Sequence, residues 1–188
     1  MKKLNAFFNN YMLSLLFIAW IAMNLWMYYG VGGMNDISRV SEGHSLPDLS
    51  LSQNITKLKT LMTDYGSQGR LYYIKYQFRD FIYPLVYGAL LMGLLYRLIK
   101  PISFNVWVFV PWIAVFFDYI ENYFLRISFY DYPNLVPYKV QIASLASSLK
   151  WFFIFFSFLL IIIAYFNRRR RYINKHKVNN PPNTYVNM

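Results

Sequence analysis

Asp118-Tyr119-Ile120-Glu121-Asn122 lies inside an apolar and aromatic run, Phe104 to Phe129, that contains no other acid. Residues at i, i+3 and i+4 share one face of a helix, so Asp118, Glu121 and Asn122 point the same way. In a helix that crosses a membrane, this puts two carboxylates and an amide where water is scarce. Polar groups at that depth are expensive and mark either a functional site or a device that pairs helices. The fold follows from asking what meets that face.

Composition agrees with a membrane setting. The 188-residue chain is 57% hydrophobic and 21% aromatic with 14% charged residues, too little charge to cover a soluble domain. It has no cysteine, which excludes a disulfide, a thiolate metal site and a thiol nucleophile. The net charge of +11 is unevenly placed. Lys2, Lys3, Arg97, Lys100, Arg168 to Arg171, Lys175 and Lys177 gather on one side of the proposed spans with no acid among them. The acids lie on the other side or in the outer halves of spans, mixed with the remaining lysines and arginines. That asymmetry is the positive-inside pattern and puts both termini in the cytoplasm, with membrane lipid rather than nucleic acid as the partner.

Read in order, the chain predicts an all-α, four-helix transmembrane bundle with a helical outer loop between spans 1 and 2. The spans fall at about 6–29, 79–98, 104–128 and 140–166, each near the length that a ~30 Å hydrocarbon core requires. The first is an uncleaved span and not a signal peptide, because Trp26-Met27-Tyr28-Tyr29 offers no small-residue cleavage site. Within the outer loop, 31–77, Leu46-Pro47-Asp48 breaks the chain. Ser50 or Ser52 then caps a short helix with Ile55, Leu58, Leu61 and Met62 on one stripe, and Gly66 ends it. A helix from Ser67 runs on into the second span with a kink at Pro84. Ala89 and Gly93 form a small-x-x-x-small contact. The basic tail, 167–188, is expected to be disordered.

Counting 1.5 Å per residue from each cytoplasmic end, Asp118 stands at ~21 Å, Glu121 and Lys150 at ~25 Å, and Asn24 and Arg79-Asp80 at ~26 to 27 Å. All four spans thus contribute to one polar layer below the outer interface. Lys150 shares a face with Ala143, Ala146 and Ser147, small residues suited to a helix contact, so it faces the bundle and pairs with Asp118 or Glu121. Asp118, Glu121 and Lys150 are candidates for an architectural pair or for catalysis. Arg70, Arg79, Asp80, Asn122 and Arg126 are candidate binding residues around an outward opening. Three oxygen ligands are too few for a hard cation, and His44 and His176 fall on opposite sides, so no metal or cofactor is expected. No Gly-rich phosphate loop, nucleophile elbow or H-E-x-x-H motif occurs. Two aspartates on facing helices are not evident.

The series Leu46-Pro47-Asp48, Gly66-x-x-Gly69-Arg70, Tyr83-Pro84, Asp118-x-x-Glu121-Asn122 and Ala143-Ser144 leading to Lys150-Trp151 resembles an uncharacterised family of small bacterial four-span membrane proteins. The likeness covers about residues 45 to 155, and Ser147 replaces the threonine of that pattern. It implies that the acids and the lysine act as one unit in a bacterial inner membrane, and it implies no activity. The expected function is binding or interaction with lipid, or service as a subunit beside other membrane proteins. The alternatives are an enzyme acting on a lipid-like substrate at the outer leaflet, with Asp118 or Glu121 as acid/base and Arg79 or Lys150 on an anionic group, and a proton-coupled carrier.

Overall fold

The computed structural model describes residues 7–41, 43, 46–49, 54–99 and 106–179, the last six as backbone only. Lys2, Lys3, Glu42, His44, Ser50, Ser52, Lys100, Pro101, Phe104 and residues 180–188 lie outside the described residues, as do the side chains of Lys175, His176 and Lys177. Among the described residues the helices in order are α1 Asn10–Tyr29, α2 Met34–Val40, α3 Ile55–Asp64, α4 Gly66–Asp80, α5 Tyr83–Ile99, α6 Val110–Asp131 and α7 Pro137–Asn179. Short 3-10 turns cover Pro47–Leu49 and Val106–Phe109. Among the described residues, four helical stretches are long and apolar enough to cross a membrane, built on α1, on α4 with α5, on α6 and on α7. The chain is thus an all-helical bundle of the multi-pass membrane class.

The surface agrees. α1 buries only Met27, and α7 leaves Phe152, Phe155, Phe158 and Ile162 exposed along its length. So large an apolar surface is untenable in water and ordinary against lipid. The most extensive contact runs between α6 and α7, while α5 packs on α1, α6 and α7. The close approaches are made by glycines. A Cβ on Gly88 would lie 2.5 Å from Val115 of α6, and one on Gly93 would lie 2.6 Å from Leu13 of α1. Gly93 thus serves the contact expected of it, whereas its neighbour on the other helix face is Gly88 and not Ala89, which is only half-buried.

Three further points differ from the sequence reading. The second span does not bend at Pro84 but breaks, with α4 ending at Asp80 and α5 starting at Tyr83. Pro84 has no N–H for the Asp80 carbonyl, so the ladder stops there. Tyr119 of α6 donates to the Phe81 carbonyl at 2.9 Å, which satisfies part of the break. Asn54 is the N-cap of α3, accepting from the Lys57 amide at 2.8 Å. Its stripe closes the outer end of the bundle as a lid, with Leu58 and Met62 buried among Tyr65, Tyr73, Leu125 and Phe129. Gly66 leaves that lid at φ +59°, a left-handed conformation suited to glycine. Finally, α7 does not stop at the arginines: the helix continues through Arg168–Arg171 to Asn179, so residues 167–179 are helical and not a disordered tail. Arg168 hydrogen-bonds the Arg97 carbonyl at 3.2 Å, tying α7 to α5 at the basic end.

Gly88→Leu should overpack the α5–α6 contact and cost about 1–3 kcal/mol. Thermal denaturation of the detergent-solubilised protein would register this as a lowered midpoint; an unchanged midpoint would mean the two helices have room to spare.

Candidate functional site

The centre of the polar layer is Lys150. It reaches from α7 to α6, where it forms an ion pair with Glu121 and stands 3.8 Å from Asp118. Ala143, Ala146 and Ser147 are buried on the same face, as their spacing predicted. Asp118 is also held by the Tyr87 hydroxyl of α5 at 2.9 Å and by the Asn122 amide at 3.1 Å. Gln77 of α4 donates to the Asn122 carbonyl at 3.4 Å. Glu121 is fully enclosed at 0% exposure, so it contributes to the bundle and is out of reach of anything outside it.

Lys150 also donates to the backbone carbonyl of Asp48 at 3.3 Å. The outer loop therefore reaches the membrane-embedded centre, and its Pro47–Leu49 turn lies over it. The Asp48 carboxylate is buried and accepts from Tyr73 at 3.3 Å. Burial raises its pKa above the usual carboxylate range, against the opposing pull of Lys150 and of the Tyr73 and Tyr76 hydroxyls. The sequence marked Asp48 only as a chain break; no local pattern shows that a loop residue docks on a helix a hundred positions away.

Beside this network lies a cavity of about 400 Å³. Its charged lining is Asp48, Asp80, Asp118 and Lys150, with Tyr76, Tyr83 and Tyr87 beside them. Its apolar lining comes from Phe17 and Trp20 of α1, Leu90, Leu91 and Leu94 of α5, and Ile154 and Phe158 of α7. The acids and the lysine stand at the loop end, whereas Leu94 and Phe158 lie one to several turns toward the Arg97 and Arg168 end. The cavity is thus a shaft between α1 and α7, floored by α5, with a polar head. A second cavity of about 450 Å³, at the outer end of α1, shares Met27, Leu49, Tyr76 and Tyr83 with it and is lined by Asn24.

The other sequence candidates divide. Asp80 lines the main cavity together with Asp118, in the layer where depth counting put both. Arg79 does not line it. Its guanidinium donates to the carbonyls of Trp26 and Gly30 at 3.4 Å each and to that of Val31, and it lies 5.4 Å from the Trp26 ring. It caps the C-terminal end of α1, where helix carbonyls favour a cation. Arg70 likewise donates to the Met62 carbonyl at 2.7 Å and stacks 4.3 Å over the Tyr132 ring, joining the lid to the turn after α6. Arg126 is half-buried on α6 and is not part of the cavity lining. Asn122 serves the network by orienting Asp118. Among the described residues, no group of three or more His, Asp or Glu is placed to hold a metal ion.

The class these features define is a multi-pass helical membrane protein with a charged centre beside an amphipathic cavity. No family model, curated protein or solved structure matches the chain.

Lys150→Met strands two carboxylates out of water and should destabilise by about 3–5 kcal/mol. Replacing Glu121 and Asp118 by apolar residues in the same variant should recover much of that loss. Thermal melting of the single and combined variants in one detergent tests the coupling, which additive losses would refute.

Proposed function

We propose that the protein binds a single-chain amphiphile of the membrane in the shaft between α1 and α7. The observation that carries this reading is the lining of the cavity, with acids and a lysine at its outer end and leucine, isoleucine, phenylalanine and tryptophan side chains below. Its volume of about 400 Å³ is at the smaller end of the roughly 300–1,000 Å³ typical of small-molecule sites, which favours one chain over two. The spans on either side, α1 and α7, present largely apolar outer surfaces, so the natural source of a ligand is the bilayer.

The basic ends of the spans support a cytoplasmic membrane with both termini inside, and the resemblance of the motif series supports a bacterial one. In this reading Lys150, Glu121 and Asp118 fix how α6 and α7 meet, and Asp118 also presents one oxygen-bearing edge to the cavity. An accessory role beside other membrane-protein subunits is compatible with the same site. Catalysis by Glu121 draws no support from its position, because it is enclosed and paired.

Photolabelling with a diazirine-bearing hexadecanol tests the proposal. In detergent-solubilised protein, label should concentrate on peptides of α1 and α7 that line the shaft. Leu94→Trp, which fills the shaft, should cut that labelling about tenfold, the equivalent of ~1.4 kcal/mol. Labelling spread evenly over the lipid-facing surface and indifferent to Leu94→Trp would overturn it.

A further inference from the structure

The four carboxylates around the centre are not equivalent. Glu121 is ion-paired to Lys150, Asp118 has Tyr87, Asn122 and the nearby ammonium, and Asp48 has Tyr73. Asp80 is the exception. It is buried at 5% exposure and lines the cavity, and none of the other described residues gives its carboxylate a hydrogen bond or an ion pair. Its carboxylate therefore opens onto the cavity, where a donor on a bound molecule can reach it.

Its backbone setting sharpens the point. Asp80 is the last residue of α4, where the helix dipole is negative and a cation is favoured. Pro84 leaves the Asp80 carbonyl without its helical donor, so this helix end carries a second unserved acceptor beside the carboxylate. The arginine next in sequence is spent on α1, and Lys150 is spent on Glu121 and the Asp48 carbonyl. Trp20, Tyr76, Tyr83, Tyr87 and Trp151 line the same cavity, and aromatic rings are the apolar groups that favour a neighbouring cation.

We propose that the head of the bound amphiphile is a protonated amine, received by Asp80. This rests on the amphiphile reading above and narrows it to a class of ligand: a long-chain primary amine or amine-headed single-chain lipid. An anionic head is disfavoured by the same residues, because it would meet Asp48, Asp80 and Asp118 with only the engaged Lys150 in its favour.

The test uses the full chain in a neutral detergent and three probes of equal chain length: hexadecylamine, hexadecanol and hexadecanoic acid. Competition against the photolabel ranks them, and butylamine supplies the head without the chain. Hexadecylamine should bind tightest. Asp80→Asn, nearly the same shape, should weaken hexadecylamine roughly ten- to hundredfold, the range of a charge-assisted hydrogen bond, and leave hexadecanol unchanged. Equal binding of the three long-chain probes to the wild-type protein would overturn the amine head while the amphiphile reading stands. Preference for hexadecanoic acid would overturn it in favour of a site centred on Lys150. Butylamine competing as well as hexadecylamine would refer the head to a free cation. An equal loss of all probes in Asp80→Asn would make Asp80 a structural residue. Failure of every long-chain probe to displace the label, with no shaft labelling, would remove the amphiphile reading itself. The wild-type ranking decides the head chemistry even if Asp80→Asn does not fold.

Discussion

The ammonium of Lys150 between Glu121 and Asp118 is the constraint on which the other helices depend. A charge taken out of water is tolerated only when a partner meets it in good geometry, so α7 cannot rotate or slide on α6 without stranding it. Small residues at Ala143, Ala146 and Ser147 let the two helices come close enough for the pair to form. The same lysine takes the Asp48 carbonyl, so the outer loop is fastened to this pair and not merely laid over it. Tyr87 then links Asp118 to α5, and α5 carries α1 through Gly93. One ion pair in this way sets the register of a bundle whose apolar surfaces would otherwise slide past one another with little preference.

Much of this arrangement was legible before any coordinates. Apolar runs of membrane-spanning length are read directly, and the i, i+3, i+4 spacing of Asp118, Glu121 and Asn122 states that they share a face. The small residues one and two turns before Lys150 state that it faces a helix. Depth counting then brings Asp80 into the same layer. What periodicity does not contain is the identity of the neighbour. Arg79 and Asp80 are adjacent and were read as lining one opening together, yet consecutive residues on a helix point about 100° apart, and they went to different tasks. Arg79 turned to the carbonyl end of α1, Asp80 to the cavity. Gly88 was passed over for Ala89 for a related reason, since a glycine matters only where another backbone or side chain arrives. Asp48 was beyond reach because its role depends on a loop docking on a helix a hundred positions away.

The extension of α7 to Asn179 has a different cause. A run of four arginines stops a span from moving deeper into lipid, and it was read as stopping the helix as well. These are separate matters. Arginine is among the better helix formers, and nothing between Arg168 and Asn179 breaks a helix, so the secondary structure continues into water after the membrane ends.

The division of labour between the acids leaves the centre rigid beside an open cavity. Lysine has one charge to give, and the geometry spends it on Glu121 and Asp118, the two carboxylates of α6 that fix the helix pairing. Asp80 belongs to a different helix, which ends where Pro84 withdraws its donor, so it faces the cavity at a place the bundle does not need for its own cohesion. An acid retained there, with aromatic rings around it and an apolar shaft below, receives no hydrogen bond or ion pair from the other described residues. The amphiphile we propose would match both parts of that lining, its positive head meeting the acids and its hydrocarbon the apolar walls.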